Sequence, residues 1–199
     1  MVCGGARRCA AVKRGAILRE MCEPEGLGSA DVELIMRDAY VFCSFYSRHE
    51  GGMAQLADKV AIITGAGTGI GKGIAHAFAK EGAKLVLASR KRENLEATAA
   101  ELAPTGATVV VTPTDVTQES EVVALFEKTM QEFGRLDILV NNSGTFDGGP
   151  LEELSLATWQ KVVDVNLTGP FLCSREAMKI MKKQKGGRII NIGSISAQM

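Results

Sequence analysis

From Met53 onward, short apolar runs alternate with longer stretches whose apolar positions recur at helical spacing. Lys59–Thr64, Lys84–Ala88, Thr108–Thr112, Leu136–Val140 and Arg188–Ile192 are short, β-branched-rich runs that predict buried strands. Between them, Ile70–Glu81, Arg92–Leu102 and Ser120–Phe133 predict helices. In the third of these Val122, Val123, Leu125, Phe126, Met130 and Phe133 gather mainly on one side. Ser155–Lys183 predicts one long helix, which Gly169-Pro170 kinks or divides. Strands that are continuously apolar, in strict alternation with helices, predict a parallel sheet covered on both faces. The fold class is therefore α/β, a doubly wound parallel sheet.

Composition narrows the function classes. Of 199 residues, 46% are hydrophobic and 23% charged, as in an ordinary soluble domain. The formal net charge of zero argues against a nucleic-acid or acidic-membrane partner. No apolar run approaches the roughly 20 residues of a spanning helix. The five cysteines, Cys3, Cys9, Cys22, Cys43 and Cys173, are odd in number and form no CxxC pair. That pattern fits neither a disulfide framework nor a metal site and predicts a reducing, cytoplasmic setting.

Residues 1–52 break the rhythm. Their first stretch carries five basic residues before Glu20 and shows no clean period. Three readings stand: a targeting peptide, an accessory segment that folds on the domain or a partner, and a leader that is not translated. The third is preferred. His49-Glu50-Gly51-Gly52 ahead of Met53 resembles a ribosome-binding site read as protein, with translation beginning at Met53.

The candidate chemistry begins after the first strand, at Thr64-Gly65-Ala66-Gly67-Thr68-Gly69-Ile70-Gly71. Glycines between a first strand and a first helix allow a tight turn and close backbone approach. The helix start offers free N–H groups to a pyrophosphate. A phosphate-cradling P-loop is excluded, because Ala66 stands where its first glycine is required and Gly73 follows Lys72 in place of Ser or Thr.

The Gly-x-x-x-Gly-x-Gly spacing resembles the short-chain dehydrogenase/reductase family, and three later motifs strengthen the likeness. Asn141-Asn142-Ser143-Gly144 follows the fourth strand, with Ser143 where the family has alanine. Asp164-Val165-Asn166-Leu167-Thr168-Gly169 and Gly187–Ser194 match two more family segments. The resemblance covers about Lys59 to Met199 and none of residues 1–52. It implies a Rossmann-like sheet of strand order 3-2-1-4-5, incomplete at the C-terminus, and hydride transfer between a nicotinamide cofactor and a carbonyl or alcohol. The 3-oxoacyl compounds are one such substrate class.

The resemblance also assigns residues. Thr64, Gly65, Gly67, Thr68, Gly69, Ile70 and Gly71 form the phosphate turn. Asp115 and Val116 lie near the adenine, with Asp115 alternatively a turn or cap residue. Asn141, Asn142, Ser143 and Gly144 line the nucleoside side, and Asn141 also holds neighbouring strands together. Ser194, with Ser196 as fallback, binds the substrate oxygen, and Asn166 holds a water of the proton relay. At the end of the second strand, Ser89-Arg90-Lys91-Arg92 offers cations and no acid before Glu93. An acid there would accept the ribose hydroxyls of NAD; a guanidinium fork suits a 2′-phosphate, so NADP(H) is favoured over NAD(H).

The family's acid/base pair is a Tyr-x-x-x-Lys on the helix after the serine strand, the lysine lowering the phenol's pKa from its free value of about 10. Only five residues follow Ser194, and the two tyrosines, Tyr40 and Tyr46, lie in the unmatched leader. The sequence thus predicts a binding half without its acid/base half, an inactive fragment of a reductase. A non-catalytic NADP-binding protein and a non-functional remnant are the alternatives. For a full-length member the resemblance implies a dimer or tetramer packed partly through that helix, an assembly not expected of residues 1–199 alone.

Overall fold

The computed structural model describes residues 54–193; the leader, Ser194 and Ser196 lie outside them. The elements are β1 (Val60–Thr64), α1 (Gly69–Lys80), β2 (Lys84–Ser89), α2 (Arg92–Leu102), β3 (Val109–Pro113), α3 (Glu119–Phe133), β4 (Ile138–Asn141), α4 (Leu156–Val163), α5 (Gly169–Gln184) and β5 (Arg188–Asn191). The five strands pair in parallel in the order β3-β2-β1-β4-β5. This is the doubly wound sheet expected from the alternation, in the Rossmann-like strand order implied by the family resemblance. Among the described residues no helix is long and apolar enough to cross a membrane.

The strand period of two builds two cores. Ile62 joins Val86, Leu125, Phe126, Leu139 and Leu172 on the face covered by α3 and α5. Its neighbours Ala61 and Ile63 join Leu85, Leu87, Ala75 and Leu95 on the face covered by α1 and α2. Both faces of β1 and β2 are therefore dry, which explains strands that read as apolar runs. Arg188–Ile192, expected as a buried strand, is instead largely exposed: β5 lies at the edge of the described sheet, paired on one side only, with Ile190 and Ile192 about 40% exposed.

Two boundaries differ from the sequence pattern for identifiable reasons. β4 begins two residues later than the apolar run, because Gln184 clamps the backbone of Leu136 first. Leu136 N–H donates to Gln184 Oε1 at 2.9 Å, and Gln184 Nε2 donates to the Leu136 carbonyl at 2.8 Å. The long helix is divided ahead of Gly169-Pro170, by a π-helical turn over Asp164–Thr168. There the Gly169 N–H reaches back five residues to the Asp164 carbonyl. Pro170 has no N–H and its ring crowds the carbonyl four residues back, so widening the preceding turn relieves the conflict.

Asp137 ties the amino end of β4 to β1. Its carboxylate takes the Val60 N–H at 2.9 Å and a two-pronged bond from Arg135 at 2.8 and 2.6 Å. Partial burial works to raise its pKa, but the Arg135 and Val60 bonds prevail and hold it below the usual carboxylate value. A depressed folded pKa contributes stability above the unfolded pKa and loses it as pH falls through the folded one. Asp137→Asn is expected to cost about 1 kcal/mol at pH 7, with the gap closing as the pH falls below about 4. Urea unfolding at the two pH values checks it.

Candidate functional site

The turn between β1 and α1 is locked to the end of β4. Thr64 is 1% exposed, and its Oγ1 accepts the N–H groups of Asn142 and Ser143 at 2.9 and 3.0 Å while donating to the Val140 carbonyl at 3.3 Å. Asn142 returns the connection, its Nδ2 donating to the carbonyls of Thr64 and Gly65 at 3.0 and 3.3 Å. Gly71, at the start of α1, leaves no room for a side chain: a Cβ there would strike Asn142 Nδ2 and the Gly65 carbonyl. The first turn of α1 therefore rests directly on the strand ends.

The opposite wall of the turn is α2. A Cβ on Gly67 would lie 2.8 Å from Asn94 Cβ and 3.3 Å from Ser89 Oγ. That glycine is required for contact with the protein itself, besides any ligand. Thr68 precedes α1 in extended conformation with no side-chain cap bond, and the helix's first turn holds no acid. Its N-terminal N–H groups and positive dipole end are left available to an anion.

These elements border a cleft of about 560 Å³ at the carboxyl ends of the strands. Of the residues singled out from the sequence, Gly65, Gly67, Thr68, Gly69, Ile70, Ser89 and Arg90 line it along the β1–α1 turn and the end of β2. Asp115, Val116, Asn142, Ser143 and Gly144 line the rest. Lys91, Asn94, Thr114 and Val165 line it too: Lys91 belongs to the cation run and Val165 to the Asp164–Gly169 motif, whereas Asn94 carries no local signal. Thr64, Gly71 and Asn141 are not lining residues. The first two hold the turn from beneath. Asn141, 4% exposed, donates to Asn191 Oδ1 at 2.8 Å and Ser174 Oγ at 3.1 Å and so joins β4, β5 and α5.

The charge in the cleft is distributed unevenly. Arg90 and Lys91 have no carboxylate partner among the described residues, while Arg92 beside them pairs with Glu96 at 3.5 Å. Asp115 is the acid of the lining, and it serves a turn as well. Its Oδ1 accepts the N–H and hydroxyl of Thr117 at 3.0 and 2.8 Å.

Asn166 sits in the π-helical turn with both amide atoms bonded to Thr145. Oδ1 accepts the Thr145 N–H at 2.8 Å and Nδ2 donates to the Thr145 carbonyl at 2.7 Å. It thus clamps the loop that follows β4. Its own main-chain carbonyl, in contrast, has no donor four residues on, because that residue is Pro170. The buried Cys173 offers no nucleophile, since burial pushes its thiol pKa up to about 12.

A glycine turn capped by a bare helix start, at the carboxyl edge of a 3-2-1-4-5 sheet, is a dinucleotide site in form. A family model described as short chain dehydrogenase matches residues 59–199. The chain belongs to the short chain dehydrogenase family. Among similar proteins is an uncharacterized oxidoreductase of Staphylococcus aureus strain MRSA252. It is 41% identical over 144 residues, which cover 72% of this chain and 62% of the relative. Another uncharacterized oxidoreductase, from Bacillus subtilis strain 168, is 42% identical over 69% of this chain and 54% of its own length. The chain thus spans between 54% and 62% of the length of these two curated relatives.

Solved structures agree. A short-chain type dehydrogenase/reductase from Mycobacterium marinum superposes with a TM-score of 0.72 at 36% identity, covering 74% of this chain and 60% of that one. A metagenomic short-chain oxidoreductase in complex with NADP gives 0.69 at 35% identity, covering 72% and 66%. Short chain dehydrogenases bind NAD or NADP, and the cleft of this chain has a glycine turn, unpaired N–H groups at a helix start and two cations along its lining.

Proposed function

We propose that residues 53–199 form the cofactor-binding part of an NADP-dependent reductase of a carbonyl, with the reverse alcohol oxidation, in the cytoplasm. One observation carries the choice of cofactor. At the end of β2 the cleft presents Ser89, Arg90 and Lys91, and no acid of the described residues neutralises the two cations. A 2′-phosphate supplies the missing charge, whereas the bare hydroxyls of NAD leave both cations unanswered. The NADP complex of the metagenomic relative is consistent with this reading.

Each wall has a task in this reading. The N–H groups at Thr68, Gly69 and Ile70 hold the pyrophosphate. The free oxygen of Asp115 and the Val116 backbone hold the adenine, and Asn142, Ser143 and Gly144 flank the nicotinamide-side ribose. When bound, the nicotinamide supplies or accepts a hydride. Ser194 orients the substrate oxygen. Asn166 keeps the loop after β4 in place with its side chain and offers a relay water its main-chain carbonyl. Proton transfer itself is assigned to a Tyr-x-x-x-Lys pair that Tyr40 and Tyr46 do not provide. The reading therefore expects residues 1–199 to bind cofactor without turnover.

Titrating the purified chain with NADPH and NADH, followed by cofactor fluorescence, tests it. NADPH is expected to bind more tightly. Arg90→Ala is expected to weaken NADPH by roughly ten- to thirtyfold, about 1.5–2 kcal/mol, and to leave NADH nearly unchanged. Equal losses for both cofactors would sink the assignment.

A further inference from the structure

One face of α2, carrying Asn94, Thr98 and Glu101 at i, i+4 and i+7, meets the glycine turn and α1. Asn94 abuts Gly67 through its Cβ. One turn later, Thr98 is 0% exposed, and its Oγ1 lies 3.0 Å from the Asn94 carbonyl and 3.4 Å from the Gly67 carbonyl. A further turn on, Glu101 takes Lys72 Nζ at 2.6 Å and His76 Nε2 at 3.2 Å, both from α1. The outer contact is exposed and worth little. The inner one is dry, where an unmade hydrogen bond costs more.

A threonine hydroxyl that bonds only to the carbonyl four residues back is an ordinary feature of helices. Thr98 differs because its single proton is shared with a second acceptor outside its own helix, the Gly67 carbonyl of the glycine turn, at the longer distance of 3.4 Å. The same helix begins at Arg92, directly after Ser89, Arg90 and Lys91. The turn that faces the pyrophosphate and the segment that faces the far end of the cofactor are thus joined through one buried hydroxyl. We propose that Thr98 is a positioning residue for the dinucleotide, fixing the Gly67 turn against α2 so that the two cofactor-facing segments keep one spacing. This rests on the reading of the cleft as an NADP site.

The test compares Thr98→Val, which keeps the shape and removes the hydroxyl, with Thr98→Ser, which keeps the hydroxyl. The full chain is titrated with NADPH and with NADH, and thermal midpoints are recorded beside the affinities. Thr98→Val is expected to weaken NADPH by roughly three- to tenfold, and Thr98→Ser to stay within about twofold of the parent. NADPH spans both segments and is expected to lose more than NADH. Should the valine variant not fold, Thr98→Ala removes the same hydroxyl with less bulk and is expected to show the same loss. Equal weakening by valine and serine would mean packing alone and overturns the proposal. So does parental affinity in a valine variant whose midpoint has dropped. If the parent chain prefers NADH, the cofactor reading fails; a loss of NADH binding in Thr98→Val that serine restores would still uphold the positioning role. Binding of neither cofactor by the parent overturns both.

Discussion

Gly71→Ala is expected to abolish dinucleotide binding and to lower the free energy of unfolding by about 2–4 kcal/mol. Helix propensity alone points the other way, since alanine in a helix interior is favoured over glycine by about 1 kcal/mol. The packing term decides the sign. The new Cβ would strike the Gly65 carbonyl, which is backbone, and Asn142 Nδ2, which is already bonded to the carbonyls of Thr64 and Gly65. Neither neighbour can yield without moving the turn or breaking the Asn142 bonds. Gly73, two residues on in the same helix, supplies the control, for a Cβ there meets nothing within 4 Å. Gly73→Ala is expected to stabilise by about 0.5–1 kcal/mol and to leave binding intact. Urea unfolding and NADPH titration of both variants check the pair. A Gly71→Ala variant as stable as Gly73→Ala would mean the close approach of α1 to β4 is not as described.

The contrast between these glycines shows where sequence reading reaches and where it stops. Gly67, Gly71 and Gly73 look alike in the chain, and of the three the Gly-x-x-x-Gly-x-Gly spacing marks out Gly71. Only the packing shows that Gly67 answers to Asn94 and Gly71 to Asn142. The inner strands were legible because they are buried on both faces and so carry an unbroken apolar signal at Val60–Thr64 and Lys84–Ser89, whereas β5 keeps that signal although it is exposed. The interruption before α5 was legible as a conflict at Pro170, but its position was not. A helix can absorb a missing N–H by kinking, splitting or widening, and the clamp of Asn166 on Thr145 is a long-range contact absent from local pattern. Thr98 was silent for the same reason, since in the chain it is one polar residue in an alanine-rich helix. Asn141 and Asn142 are adjacent and identical. Strand alternation turns one into the joint between β4, β5 and α5 and the other into the lock on the glycine turn.

Thr64→Val carries the second large effect, an expected loss of about 2–3 kcal/mol with a matching loss of cofactor binding. Valine fits the space and the strand, so volume and β-propensity change little. What goes is an oxygen that collects two backbone N–H groups, those of Asn142 and Ser143, and supplies a donor to Val140. Those two N–H groups begin the segment Asn142-Ser143-Gly144, which lines the cleft, and they are half covered by protein. Without the hydroxyl they must find water or shift, and either course releases the segment from the end of β1. Thr64→Ser keeps the oxygen and gives up one methyl, so it is expected to recover all but about 1 kcal/mol and most of the affinity. The ordering serine above valine is the decisive result, because a residue acting through packing alone would rank valine first.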